Sequence, residues 1–130
     1  MRRPDEFLAH VLELLEPLGG VAARRMFGGQ GLYCDGVFFG MVLDGTLYLK
    51  ADDRNRSEFE RAESEIFSYS RKGRRATLNF YRAPEEAMDA SRRMLPWARG
   101  ALAAALRARA AKPPRRRARR TRIISATGKR

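Results

Sequence analysis

Cysteine, histidine and tryptophan occur once each in 130 residues, and these scarcities exclude more chemistry than any motif in the chain supports. A single cysteine, Cys34, builds no intramolecular disulfide framework and suits a reducing cytoplasm, with pairing between chains left open. One Cys and one His cannot hold a structural zinc ion. No Ser-His-Asp or Cys-His arrangement can be assembled either, because His10 sits in an ordinary amphipathic segment with no second base around it. No stretch approaches a membrane span, and the N-terminus MRRPDEF lacks the apolar core of a secretion signal. The expectation is a cytoplasmic protein with no membrane contact, no metal, no cofactor and no catalytic residues.

Carboxylates are absent from one end of the chain. Residues 1–106 carry 16 Lys+Arg against 15 Asp+Glu, whereas residues 107–130 carry 11 and none. The formal net charge of +12 therefore belongs almost wholly to the C-terminal segment. Lys112-Pro113-Pro114 ends the preceding helical pattern, and the block Arg115, Arg116, Arg117, Arg119, Arg120 and Arg122 follows it. Such a segment buries too little apolar surface to order itself. It can bind nucleic acid without sequence preference, releasing counterions as phosphates are neutralised. A solubilising tail is the alternative, and an anionic membrane surface is a weaker third, since no apolar anchor accompanies the charges. Of the 27 basic residues 23 are arginine, a bias that a GC-rich bacterial genome produces as readily as selection does.

What the chain has in quantity is strand signal. Gln30–Asp35, Val37–Leu43 and Thr46–Lys50 are aromatic and branched, and Asp35-Gly36 and Asp44-Gly45 separate them with the dipeptides of tight hairpins. Val21–Phe27 precedes them as a first strand. Phe38, Gly40 and Val42 alternate with Phe39, Met41 and Leu43, so this strand is apolar on both faces, to be covered by helices on opposite sides or by a partner subunit. Before the meander, Phe27-Gly28-Gly29-Gln30-Gly31 allows a corner or a close backbone approach. Gly28, Gly29 and Gly31 thus form either a structural corner or a recognition surface, and the pattern matches neither a Walker loop nor a dinucleotide fingerprint.

Helical periodicity flanks the strands. Phe7, Leu8, Val11, Leu12, Leu15 and Leu18 fall on one side of a helix over Asp5–Leu18, ended by Gly19-Gly20. Asp52–Ser64 reads as a short exposed helix of mixed charge, with Asp52 and Asp53 solvated. Ser91 to about Arg109 forms a packing helix that Pro96 should break or kink and that Trp97 should dock on the sheet. Between these, Ile66–Ser70 and Ala76–Arg82 form a second hairpin across a loop carrying Arg71, Lys72, Arg74 and Arg75. Those four cations are either a phosphate-contacting finger or an exposed, aggregation-resistant sheet edge. Tyr69, Phe80 and Tyr81 can in principle stack bases, though alternating strand aromatics usually pack in a core.

Arg24-Arg25-Met26-Phe27-Gly28-Gly29, Gly31-Leu32-Tyr33, Asp35-Gly36, Phe39-Gly40, Leu47-Tyr48-Leu49-Lys50, Phe80-Tyr81-Arg82, Pro84-Glu85-Glu86 and Trp97-Ala98 resemble, in this order, the N-terminal domain of the TfoX/Sxy family of competence regulators. The resemblance covers roughly residues 5 to 107. It implies an α+β fold in which a central antiparallel sheet, meander plus hairpin, is flanked by helices, of the secretion-chaperone-like type. It also implies non-enzymatic regulation of transcription, acting at promoters beside the cyclic-AMP receptor protein, and brings no catalytic residues. The family's members carry a second, C-terminal domain, where this sequence has the arginine-rich segment. The expected organisation is a domain over 1–107 and a basic tail over 108–130. Nucleic acid through the tail, the transcription machinery and a second copy are the expected partners. The alternative is a protein- or small-ligand-binding module whose tail is incidental.

Overall fold

Spacings of three and four residues bring Val11, Leu14 and Leu15 to the buried side of helix α1 (Pro4–Leu15), which tightens into a 3-10 turn at Glu16–Leu18 before Gly19-Gly20. The computed structural model describes residues 4–26 and 28–111. Strands β1 (Val21–Met26), β2 (Gly29–Cys34), β3 (Val37–Leu43) and β4 (Thr46–Lys50) follow as a meander. The chain then passes through helix α2 (Arg56–Arg61) to β5 (Ile66–Arg71) and β6 (Arg74–Arg82), and closes with a 3-10 turn at Glu85–Met88 and helix α3 (Ser91–Ala111). All six strands pair antiparallel in one sheet ordered β1-β2-β3-β4-β6-β5. This is the α+β architecture expected. Asp35-Gly36 and Asp44-Gly45 place both turn residues at positive φ, 49° and 84°, then 50° and 68°, which matches the twist of the strands they join.

The helices lie on one face of the sheet. Helix α3 packs across β3 and β4, and α1 packs on α3 and β1. Between these layers sit Leu32, Phe39, Leu49, Phe59 and Met94, all fully buried. Burial of each such side chain contributes about 1.5–3 kcal/mol. The contact surface of α3 is mostly alanine: Ala98, Ala101, Ala104 and Ala105 are buried, so its backbone approaches the strands closely. Trp97, expected on the sheet, instead meets Phe59 of α2 at 5.1 Å between ring centres, and Phe59 stacks on Tyr81 at 5.2 Å. Trp97 anchors α3 through α2.

Three local expectations are corrected. Helix α3 continues through Pro96, so the proline does not break it. Pro96 and Arg92, whose carbonyl loses its partner there, are both exposed, so water can serve that carbonyl. Second, the apolar alternation of β3 is interrupted by a bulge. Leu32 opposes Gly40 and Tyr33 opposes Phe38, leaving Phe39 unmatched. Phe39 and Val42 consequently share the helix side, while Phe38 and Met41 share the other. No described helix covers that second face, which removes the expectation of helices on both. Third, the region from Asp52 to Ser64 holds a helix of only six residues, because its first residues form a tied loop. Asn55, 7 % exposed, accepts from the Asp52 N–H at 2.7 Å and donates to the Lys50 carbonyl at 3.1 Å.

Candidate functional site

The six strands contain no Asp or Glu and seven cations. Arg24 and Arg25 lie in β1, Lys50 in β4, Arg71 in β5, and Arg74, Arg75 and Arg82 in β6. None of the seven forms an ion pair with another described residue. The carboxylates are confined to helices, turns and connecting loops. Nine further described cations share the helices, turns and loops with the carboxylates, so only the strands carry positive charge that no carboxylate on the same element offsets, and guanidinium groups there can meet an anion.

The expected five-residue basic loop is a two-residue turn. Arg71 pairs with Arg74, and Lys72 and Gly73 make the reversal with φ of 52° and 76°. Three of the four cations are therefore strand residues, held by the ladder. All four are exposed. Alternation along the strands puts Arg71 and Arg74 on the helix-free face with Tyr69, and Arg75 on the reverse. Two guanidinium groups directly opposite one another repel, and an anion between them relieves that repulsion.

The three glycines are not one loop. Gly28, with φ of 78°, is exposed in the turn between β1 and β2, whereas Gly29 and Gly31 are β2 residues paired with Met26 and Arg24. Gly31 is buried beneath Met26, Tyr33 and Phe38. Its backbone is also registered against Met41 of β3.

Arg115, Arg116, Arg117, Arg119, Arg120 and Arg122 lie outside the described residues. Arg107, at the start of the basic run, is already engaged: its Nε and Nη2 donate to the two carboxylate oxygens of Asp52 at 2.6 and 2.9 Å. This pairing corrects the expectation that Asp52 is solvated. The Arg107 guanidinium holds the Asp52 carboxyl down to about 2, with smaller help from the N–H groups of Arg54 and Asn55. Asp53 does stand in solvent, contacting Arg56 at 2.9 Å.

His10, half-buried, donates from Nε2 to the Met88 carbonyl at 3.1 Å. Cys34 is 4 % exposed and donates to the Gly19 carbonyl at 3.2 Å, and burial pushes its thiol pKa up, away from thiolate chemistry. Among the described residues no three His, Cys, Asp or Glu side chains group to hold a metal ion. Nor is any described helix long and apolar enough to cross a membrane. A shallow groove between α2 and α3 is lined by Glu58, Arg61, Glu86, Arg93, Pro96 and Trp97.

Sequence reasoning identified the hairpin cations but missed Arg24, Arg25, Lys50 and Arg82 as members of the same basic sheet. Counting carboxylates strand by strand was the available signal. Comparison with known proteins bears on what this surface serves. The TfoX N-terminal domain family matches residues 13–105. Protein Sxy of Escherichia coli (strain K12) is 31% identical over 105 residues, 81% of this chain and 50% of that protein. DNA transformation protein TfoX1 of Aliivibrio fischeri (strain ATCC 700601 / ES114) is 34% identical over 71 residues, 55% of this chain and 34% of that protein. The chain spans half of one relative's length and a third of the other's.

Proposed function

The chain belongs to the TfoX N-terminal domain family, and from that premise we propose that it is a non-enzymatic regulatory module that contacts nucleic acid through its cations. The observation that carries the reading is the sheet with seven cations and no carboxylate. A relative named as a DNA transformation protein points to nucleic acid as the polyanion. The Arg71–Arg74 pair supplies a fixed phosphate contact, and the arginines from Arg115 onward supply further non-specific ones. The module acts in the cytoplasm, where the free Cys34 thiol is stable, and works beside the transcription machinery.

The test is the affinity of the full chain for a labelled duplex DNA, measured between about 50 and 200 mM salt. The double variant R71A/R74A should weaken binding and flatten the log–log salt slope by about 0.9 to 1.8, at about 0.9 per lost phosphate contact. Affinity that does not change with salt in either protein refutes the reading. A second reading, a protein- or small-ligand-binding module with an incidental tail, is favoured only by the groove beside Trp97. A partner seated there shifts the emission of the single tryptophan, whereas nucleic acid on the sheet leaves it unchanged.

A further inference from the structure

The helix-free face of the sheet carries two rows of aromatic rings. Tyr33, Phe38 and Phe80 make the first, with centroids 5.3 and 5.4 Å apart. A cation closes it at each end: Arg24 lies 5.2 Å from the Tyr33 ring centre and Lys50 lies 5.1 Å from that of Phe80. Tyr48, Phe67 and Tyr69 make the second row, at 5.0 and 6.1 Å. Arg82 stands opposite Tyr48 in the register, and the row leads to Arg71 and Arg74 at the hairpin. None of the six rings belongs to the core under the helices, and all but Phe80 are half-buried.

An aromatic face of this extent, with no described element packed on it, calls for an occupant. Its charge restricts the choice. Arg24, Lys50, Arg71, Arg74 and Arg82 all lie on this face, and no strand carboxylate offsets them. A second copy laid face to face would oppose the same cations, and the segment beyond Ala111 contains no acid, so both are repelled. The carboxylates of an acidic protein segment answer the charges but not the rings, which would need apolar side chains interleaved at matching spacing. A nucleic-acid duplex also answers the charges but keeps its base faces stacked inside and shows only edges in its grooves. A single strand answers both, because phosphates meet guanidinium groups while unstacked bases lie on the rings.

We propose that this open face binds single-stranded nucleic acid, with Tyr33, Phe67 and Tyr69 as stacking positions and Arg24, Lys50 and Arg82 as phosphate contacts. The inference rests on the nucleic-acid reading above and adds the face and the strandedness.

The test compares an unstructured single-stranded oligonucleotide with a duplex of equal length, both labelled, against the full chain. The variant Y33L/F67L/Y69L keeps apolar bulk at each position. It should lose about tenfold single-strand affinity for each ring that stacks, with duplex affinity unchanged within about twofold. The variant R24Q/K50Q leaves the rings in place and should reduce the single-strand salt slope by about 1.4, from about 0.7 per phosphate. If the leucine variant does not fold, this second variant decides, and an unchanged slope overturns the proposal. Equal binding of strand and duplex, with the leucine variant neutral for both, overturns the face but leaves the nucleic-acid reading intact. Binding of neither overturns both. A polyglutamate probe that binds as tightly as the oligonucleotide and is lost with the same rings overturns the proposal in favour of an acidic protein. A wild-type dimer that the leucine variant dissociates in sedimentation overturns it in favour of self-association.

Discussion

Replacing Gly28, Gly29 and Gly31 singly by alanine should give three different outcomes, because the three positions are special for different reasons. At Gly28 a Cβ meets nothing within 4 Å, so only the φ of 78° matters. Left-handed backbone costs an L-residue roughly 1–2 kcal/mol, offset by about 0.4–1 kcal/mol from a less flexible unfolded chain. The net loss is about 1 kcal/mol. At Gly29 a Cβ would overlap the Val42 carbonyl oxygen and Leu43 Cδ2. A leucine tip can rotate, but the Val42 carbonyl is part of the β2–β3 pairing and yields only if the strands separate, so the loss is about 3 kcal/mol or more. At Gly31 the obstruction is Met26 Sδ, the mobile end of a flexible side chain, with Phe38 Cε1 and Tyr33 Cε1 each at 3.2 Å. Repacking costs about 1 kcal/mol and is nearly balanced by the 0.5–1 kcal/mol that glycine forfeits in a strand. At about 4–8 °C per kcal/mol for a domain of this size, Tm should fall by about 12–24 °C for G29A, about 4–8 °C for G28A and by no more than about 5 °C for G31A. Thermal unfolding followed by far-ultraviolet circular dichroism gives the order directly. A G29A protein as stable as wild type, or a G31A protein as damaged as G29A, would show the β1–β2–β3 register to be wrong. Loss of partner binding in G31A with Tm unchanged would instead make the glycine corner a recognition surface.

The Asp52–Arg107 pair predicts an acid limb in stability. Asp52 titrates lower folded, at about 2, than unfolded, at about 3.9, so its contribution is complete above about pH 4 and disappears as pH falls towards 2. The urea-midpoint difference between wild type and D52N should shrink across that window, and a pH-independent difference would refute the assignment. Phe59, 1 % exposed between Tyr81 and Trp97, should cost about 3–5 kcal/mol when replaced by alanine. Trp97 emission should move to the red, and an unmoved spectrum would mean that α2 does not hold Trp97. Pro96→Ala restores a helical donor at an exposed position of α3 and should raise the urea midpoint, by about 1–3 kcal/mol in stability; a lowered midpoint would show that the ring rigidifies the unfolded chain more than it disturbs the helix.

Legibility in the sequence followed the turns. Asp35-Gly36 and Asp44-Gly45 advertise positive φ, and β3 and β4 emerged with the expected ends. Lys72 adopts the same geometry without the composition that signals it, so the sequence shows the second hairpin but not that its five-residue basic loop is a two-residue turn. The bulge at Phe39 was hidden because β3 is apolar on both faces, and an apolar run carries no period to interrupt. The basic sheet was hidden for another reason. Its cations come from four separate strands, and β6 lies between β4 and β5 only in the folded chain, so local sequence cannot show them side by side. The rings at Tyr33, Tyr48 and Phe67 were equally silent, since alternating strand aromatics read the same whether a helix covers them or not.

The strands hold seven cations and no carboxylate, while the other described elements hold nine cations and all fifteen carboxylates, an imbalance that would give the domain a dipole. Such a molecule turns in the field of a polyanion before touching it, so encounters are biased towards those led by the sheet. The benefit appears in the association rate, and it fades as salt shortens the Debye length to about 8 Å at physiological ionic strength. With the sheet engaged as proposed, α1 and α3 would face away from the polyanion. A domain nearly neutral in sum can thus control which of its sides meets a polyanion.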